Sequence, residues 1–184
     1  MAWELSHRFD RKSRVIADRH YSRQTPGSRQ FVAPGRCCVL YTGRRDGQAL
    51  WVTSWPYRRY TKHEWAGAWV NTLFRNEGAG LSSALIVEAI ACTRWFHLHT
   101  PSWGGPIPEM GLITFVDSKK VQGTNPGYCY ECAGFTKAGK TKGGLIAWQL
   151  RPNEMPKPRA PINSQLELPR RNRMDQANGQ QIVK

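Results

Sequence analysis

Between positions 81 and 96 the apolar residues Leu81, Ala84, Leu85, Val87, Ala89, Ile90 and Trp95 recur without an intervening Pro or Gly, and this predicts the best helix of the chain. Further upstream Leu5, Phe9, Ile16 and Ala17 fall at looser helical spacing among charges, predicting an amphipathic helix over 5–19 that ends before His20. Pro26, Gly27, Pro34 and Gly35 then break regular structure. Apolar runs predict strands at 37–42 and 49–54, joined as a hairpin through Arg44-Arg45-Asp46-Gly47. The aromatic and β-branched stretch 65–74 predicts a third strand, and 97–108, with Pro101, Gly104, Gly105, Pro106 and Pro108, predicts a loop. A continuous apolar strand at 110–116, a short helix at 128–133 ended by Gly134, and a last strand at 145–150 complete the pattern. The expected class is α/β (α+β): one domain over 1–150 with a mixed sheet.

Beyond Leu150 the pattern fades. Pro152, Pro156, Pro158, Pro161 and Pro169 recur among charges and amides, so 151–184 is expected to be a basic, extended or disordered tail that folding does not need. With 184 residues, 40% of them hydrophobic and 11% aromatic, the chain can bury one sizeable core. Its 27 basic against 13 acidic residues give a net charge of +14, spread along the chain, which favours a polyanionic partner and nucleic acid before an anionic membrane surface. No apolar run is long enough to span a bilayer and the N-terminus is too polar for a secretory signal, so a soluble, cytoplasmic protein is expected. The five cysteines lack the spacing of a disulfide framework and are expected as free thiols. Cys129-x-x-Cys132 has metal-like spacing but no second pair of ligands, so no zinc site is expected.

Arg75-Asn76-Glu77-Gly78-Ala79-Gly80 joins the third strand to the best helix. Small residues at 78–80 let the backbone approach an anion, and the free N–H groups of the first helical turn face the same way. The loop lacks the Gly-Lys-Ser/Thr of a P-loop and the G-x-G-x-x-G of a dinucleotide fold. It does fit Arg/Gln-x-x-Gly-x-Gly/Ala at Arg75, Gly78 and Gly80, and in this it resembles the acetyl-CoA motif of the GNAT acyltransferases. The resemblance runs on through the strand ending at Asp117 and through Tyr130-Glu131-Cys132-Ala133-Gly134-Phe135, and covers roughly 51–150. It implies a GNAT-like, mostly antiparallel sheet flanked by helices, whose strand before the loop splays from its neighbour and holds the pantetheine arm in the gap. Acetyl-CoA, or another acyl-CoA, is the implied cofactor. The implied contacts are Leu73, Phe74, Arg75, Asn76, Gly78, Ala79, Gly80, Leu81 and Ser82.

His20-Tyr21-Ser22, Phe74-Arg75-Asn76-Glu77 leading into Leu81-Ser82-Ser83-Ala84-Leu85-Ile86, Phe115-Val116-Asp117 and Tyr130 together resemble a narrower group, the Mom proteins of phages. These are similar to GNAT enzymes and modify adenine in DNA as protection from host restriction. The resemblance implies His20, Tyr21, Asp117 and Tyr130 as catalytic candidates, with Tyr128 competing for the last place. The chemistry of the residues agrees with it: His20 can titrate near neutrality and take a proton, and Asp117 ends a buried strand. Tyr130 stands where the family places its thiolate-protonating tyrosine. An iron held by His, Tyr or Asp remains open. Trp51, Trp55, Tyr57, Arg58, Arg59, Tyr60, Lys62, His63 and Trp65 interleave rings for stacking with cations for phosphate, and Arg23, Arg29, Arg36, Arg44 and Arg45 lie toward the acceptor side. Double-stranded DNA is the expected partner. An ordinary N-acetyltransferase acting on a small amine, a protein or a modified nucleotide is one alternative, and a non-catalytic nucleic-acid-binding GNAT fold is another.

Overall fold

The computed structural model describes residues 3–44, 47–56, 63–103, 106–121 and 123–164. They form a mixed α+β domain: an open sheet of seven strands in the order β1-β2-β3-β4-β5-β7-β6, with three helices. The strands are β1 (Glu4–Ser6), β2 (Arg36–Arg44), β3 (Gly47–Trp55), β4 (Trp69–Glu77), β5 (Leu112–Val116), β6 (Thr136–Lys140) and β7 (Ile146–Leu150); the helices are α1 (Arg11–Asp18), α2 (Ser82–His99) and α3 (Tyr128–Glu131). Neighbouring strands run antiparallel except for β4 and β5, which are parallel.

The 18-residue α2 covers one face of the sheet, packing Leu85, Ala89 and Ile90 against Trp51, Trp69 and Leu112. On the opposite face α1 brings Ile16 and Ala17 onto Val39, Leu50, Val52 and Leu73. Farther along that face Val70, Ile113 and Ala147 are covered by Trp65 and Ala68. Alternate residues of each strand thus serve two different cores.

Several sequence-based boundaries shift. The helix expected over 5–19 begins only at Arg11, because Asp10 caps it by accepting from the Ser13 backbone N–H at 2.9 Å and from the Ser13 hydroxyl at 2.6 Å. Leu5 instead lies in β1, opposite Leu40 of β2. The third strand starts at Trp69 rather than at 65 and runs through Glu77, absorbing part of the expected loop, while α2 extends past 96 to His99. β6 was not expected; it is an exposed edge strand carrying Lys137 and Lys140, a composition that discourages further strand pairing.

The expected tail also departs from the expectation as far as Ser164. Met155 is buried, and the Arg94 guanidinium donates to the Met155 and Pro156 carbonyls. The Arg159 and Ile162 N–H groups bond to the Ala91 and Trp3 carbonyls, and the Asn163 side chain bonds both backbone groups of Leu5. This segment has little regular structure but is anchored residue by residue to α2 and β1. Positions 165–184 lie outside the described residues. All five cysteines are free thiols. Among the described residues no helix is long and apolar enough to cross a membrane, and no group of three or more His, Cys, Asp or Glu could hold a metal.

Candidate functional site

β4 and β5 pair only at Trp69–Leu112, Val70–Ile113 and Asn71–Thr114, although β4 continues to Glu77. At that point β4 carries an extra residue. Thr53 and Val52 of β3 face Asn71 and Leu73, so Thr72 is a bulge that shifts the alternation, turning Leu73 toward α1 and Phe74 toward the α2 face. The strands part beyond the bulge, and a cavity of about 180 Å³ occupies the fork. Its walls come from His20, Tyr21 and Ser22 on one side, Asn71 to Phe74 and Thr114 to Val116 along the fork, and Gly127, Cys129 and Tyr130 on the other.

Asn71 is the buried hinge of this arrangement. Its amide donates to the Val52 and Leu73 carbonyls, both at 3.0 Å, and its Oδ1 accepts from the Tyr130 hydroxyl at 2.7 Å and the Thr114 hydroxyl at 3.4 Å. Burial pushes the Tyr130 hydroxyl well above its ordinary range, so it holds its proton firmly. Gly127, in the left-handed region at φ 94°, starts α3, and a Cβ there would meet the Trp148 indole nitrogen at 2.2 Å; close contact with β7 thus fixes the turn that aims Tyr130.

His20 packs on Tyr21 with ring centroids 4.4 Å apart and the ring planes tilted by 31°. The Ser22 backbone N–H lies 3.3 Å from His20 Nδ1, and the Ser22 hydroxyl oxygen lies 2.7 Å from the same nitrogen. Burial, reinforced by the nearby Arg75 charge, lowers His20 to about 4. The ring is therefore neutral at pH 7 and a weaker base than the sequence suggested. Burial raises the Tyr21 phenol, which lies against the backbone N–H and the carboxylate of Asp117. Asp117 does not line the cavity. Its Oδ1 accepts from the Lys119 N–H at 3.0 Å, and its carbonyl accepts from Lys120 and Val121 at 3.1 Å, capping the turn after β5. Tyr128 is 59% exposed and also outside the cavity wall, so of the two competing tyrosines it is Tyr130 that faces the fork.

At the far end of β4, Gly78 (φ 80°) and Gly80 (φ 144°) adopt left-handed conformations. No side chain caps the α2 N-terminus at Leu81, so its first-turn N–H groups remain available to an anion. The Ala79 N–H is already held by Asn76 Oδ1 at 2.9 Å, while the Asn76 amide donates to the Gly80 carbonyl at 2.7 Å and to Ser82 Oγ at 2.9 Å. Asn76 therefore clasps the loop. The hairpin turn supports it from outside: a Cβ on Gly47 would lie 2.2 Å from the Gly78 carbonyl carbon. Arg75 is a strut, donating to Glu77 at 2.6 Å and to the Arg19 carbonyl at 2.7 Å. Bonds from Arg19, Arg75 and Gln48 hold the Glu77 carboxyl down to about 2.

The nucleic-acid candidates divide. Arg23 is bound inward to Asp18 and to the Ser28 and Gln30 carbonyls, Arg29 is exposed, and Arg58, Arg59, Tyr60 and Lys62 lie outside the described residues. Trp51 and Trp65, expected as stacking rings, belong to the cores. Asn71, Thr72 and Thr114 were given no side-chain role from the sequence, and Cys129 was read only for its metal-like spacing to Cys132. Asn71 and Thr114 did leave a signal, each being a polar residue inside an apolar strand.

No family model, curated protein or solved structure matches this chain. The functional reading therefore rests on the fork and the loop.

Proposed function

We propose that the chain is an acyl-CoA-dependent transferase of the GNAT type that modifies a base in DNA, in the manner of the Mom proteins it resembles. One observation carries the reading: β4 parts from β5 after three paired residues, and the gap holds a cavity continuous with a strand that ends in the Gly78–Gly80 loop. A single strand then offers backbone of Thr72 to Phe74 along the gap to an extended arm, and an uncapped helix N-terminus to a pyrophosphate. The donor set that fits such a cofactor is the uncapped first-turn backbone N–H groups of α2, since the Ala79 N–H is held by Asn76 and Arg75 is engaged elsewhere.

When bound, the cofactor supplies an activated acyl thioester. The residues of the chain orient it and hold protons around it. His20, neutral at pH 7, lines the cavity just after α1 and carries one ring N–H, a donor from which a developing oxyanion gains. Tyr130 keeps its proton on the opposite wall, and Tyr21 couples the cavity to Asp117. A second reading, a GNAT-like fold that binds nucleic acid without catalysis, is favoured by the commitment of the Tyr130 proton to Asn71 at 2.7 Å.

Calorimetry with CoA and acetyl-CoA tests the first claim. Binding is expected for the intact protein and is expected to be lost in Gly80→Val, which forces a β-branched residue into a left-handed conformation, and weakened in Gly47→Ala, whose new methyl displaces Gly78. Absence of binding by the intact protein overturns the reading. Mass spectrometry of nucleosides from DNA exposed to the protein then separates the enzyme, which leaves a modified base, from the binding module, which does not.

A further inference from the structure

The wall of the fork opposite His20 is the one-turn helix α3, and Cys129-Tyr130-Glu131-Cys132 places two thiols there that the proposed chemistry leaves unused. Cys129 lines the cavity beside Tyr130 and is half-buried, whereas Cys132 is exposed. The Cys132 N–H donates to the Tyr128 carbonyl at 2.9 Å, and Cys132 keeps helical dihedrals, φ −63° and ψ −20°. The two cysteines therefore share one helical turn. Residues three apart on such a turn have Cα atoms about 5 Å apart and side chains on one face. A disulfide spans Cα separations of roughly 4.4–6.8 Å, so the backbone already stands in range.

The other thiols are placed differently. Cys38 and Cys92 are buried in the main core, shut off from a dissolved oxidant, and the Arg8 guanidinium donates to Cys37 Sγ at 3.0 Å. Of the five, only Cys132 is exposed. Thiol–disulfide exchange needs an accessible attacking sulfur and a second sulfur within reach, and the α3 pair supplies both. Burial raises the Cys129 thiol and the neighbouring Cys132 adds to the rise, so Cys129 suits closing a bridge better than opening the exchange. Cβ atoms three apart on a helix lie about 5–6 Å from each other and a bridge needs roughly 3.5–4.5 Å, so closing it tightens the turn by about 1 Å. Gly127 is held against the Trp148 indole, so the tightening falls on 129–132, where the Tyr130 hydroxyl donates to Asn71 at 2.7 Å. Cys129 Sγ is drawn from the cavity wall toward the exposed Cys132.

We propose that Cys129 and Cys132 are a redox site, a dithiol that a small disulfide of the glutathione type converts to an intramolecular disulfide, reshaping the wall of the fork. The Cys132 thiolate attacks one sulfur of the small disulfide, giving a mixed disulfide and releasing one thiolate. Cys129 then loses its proton to solvent and attacks Cys132 Sγ, forming the Cys129–Cys132 bond and expelling the second thiolate. The protein gives up two electrons and two protons, and the small disulfide becomes two thiols. An excess of the reduced small thiol runs the sequence backwards. The bridge is independent of what the fork binds; its effect on acetyl-CoA rests on the transferase reading.

The experiment holds the full-length protein in glutathione buffers from reduced to oxidised, quenches with acid, alkylates the unfolded chain and maps tryptic peptides by mass. Both cysteines fall in one tryptic peptide, 121–137. Oxidation is expected to leave that peptide unalkylated and two hydrogens lighter, while Cys37, Cys38 and Cys92 still alkylate. Cys129→Ser should instead keep one glutathione on Cys132, the trapped first step, and Cys132→Ser should carry neither bridge nor adduct. A lasting adduct on the parent protein with no bridge, or a bridge that maps to Cys38 and Cys92, overturns the inference. Hydrogen exchange over 127–135 should differ between the bridged and reduced parent and should ignore the oxidant in Cys132→Ser; equal exchange in bridged and reduced protein overturns the reshaping. Calorimetry keeps the two claims apart. Acetyl-CoA affinity is expected to change roughly five-fold or more on bridging, and Cys132→Ser to keep the reduced affinity under oxidant. No CoA binding in either state, with the bridge and the exchange shift intact, removes the transferase reading and leaves the redox site; CoA binding without a bridge removes the redox site alone.

Discussion

Removing the Asn71 side chain should both destabilise the domain and disturb the fork. Asn71→Ala deletes two bonds to the Val52 and Leu73 carbonyls and strands the buried Tyr130 hydroxyl, which donates to Asn71 at 2.7 Å. A hydrogen bond contributes about 1 kcal/mol net, and a buried polar group left without its partner costs roughly 1–3 kcal/mol, so the expected loss is about 3–5 kcal/mol. Tyr130→Phe alone should cost only about 1 kcal/mol, because the ring stays packed on Phe74 and Phe135 and Asn71 keeps its two donors paired. In the double variant no hydroxyl is left stranded, so the two losses should fall short of additivity by about 1–2 kcal/mol. Urea unfolding of the four proteins, with midpoints and slopes compared, measures this directly. Additivity to within about 0.5 kcal/mol would show that the bond does not form and that Tyr130 is not held by the bulge.

Two further outcomes are expected. Acid should destabilise the domain in two stages: His20, lowered from 6.5 to about 4, withdraws its contribution as pH falls through that interval, and Glu77, lowered from 4.5 to about 2, withdraws its own below it. Melting curves of His20→Gln and Glu77→Gln should each lack one stage; Arg19 is 42% exposed, so the Glu77 stage is expected to be only about 1 kcal/mol after screening by solvent. A chain ending at Arg151 should melt roughly 5–10 °C below one ending at Ser164, because it exposes Met155 and unpairs the Leu5, Ala91 and Trp3 backbone groups; equal melting temperatures would show that these contacts contribute nothing.

The parts of the fold legible in the sequence are those whose pattern is local. The hairpin of β2 and β3, the strands β5 and β7 and most of α2 each carry their own period and punctuation, so their residues identify them unaided. β1 and β6 could not be read this way. One is three residues long, the other is exposed along its whole length, and both exist only through their partners. The anchoring of 152–164 depends on single residues such as Met155 and Asn163 set in a Pro-rich stretch whose composition suggests a free tail. In the site, the glycine loop and His20 were visible as motifs. The Thr72 bulge was not, because a bulge belongs to a pair of strands, and the engagement of Arg75 was not, because its carbonyl partner lies 56 positions away.

That long-range strut bears on how the site is held together. Arg19 and Arg75 meet at Glu77, and Arg75 also binds the Arg19 carbonyl, so the residue before His20 is tied to the last residue of β4 and thus to the start of the glycine loop. α1 makes the same attachment through its core, where Ile16 and Ala17 pack with Leu73. Leu73 reaches that core only because the Thr72 bulge turns it there. A single extra residue in β4 therefore opens the fork, turns the strand's side chain toward α1 and seats His20 and Tyr21 on the cavity's edge. The loop is set by the same strand from its other end and braced by Gly47. Loop, cavity and histidine consequently share one rigid element, β4, so a change in the register of that strand would displace all three together.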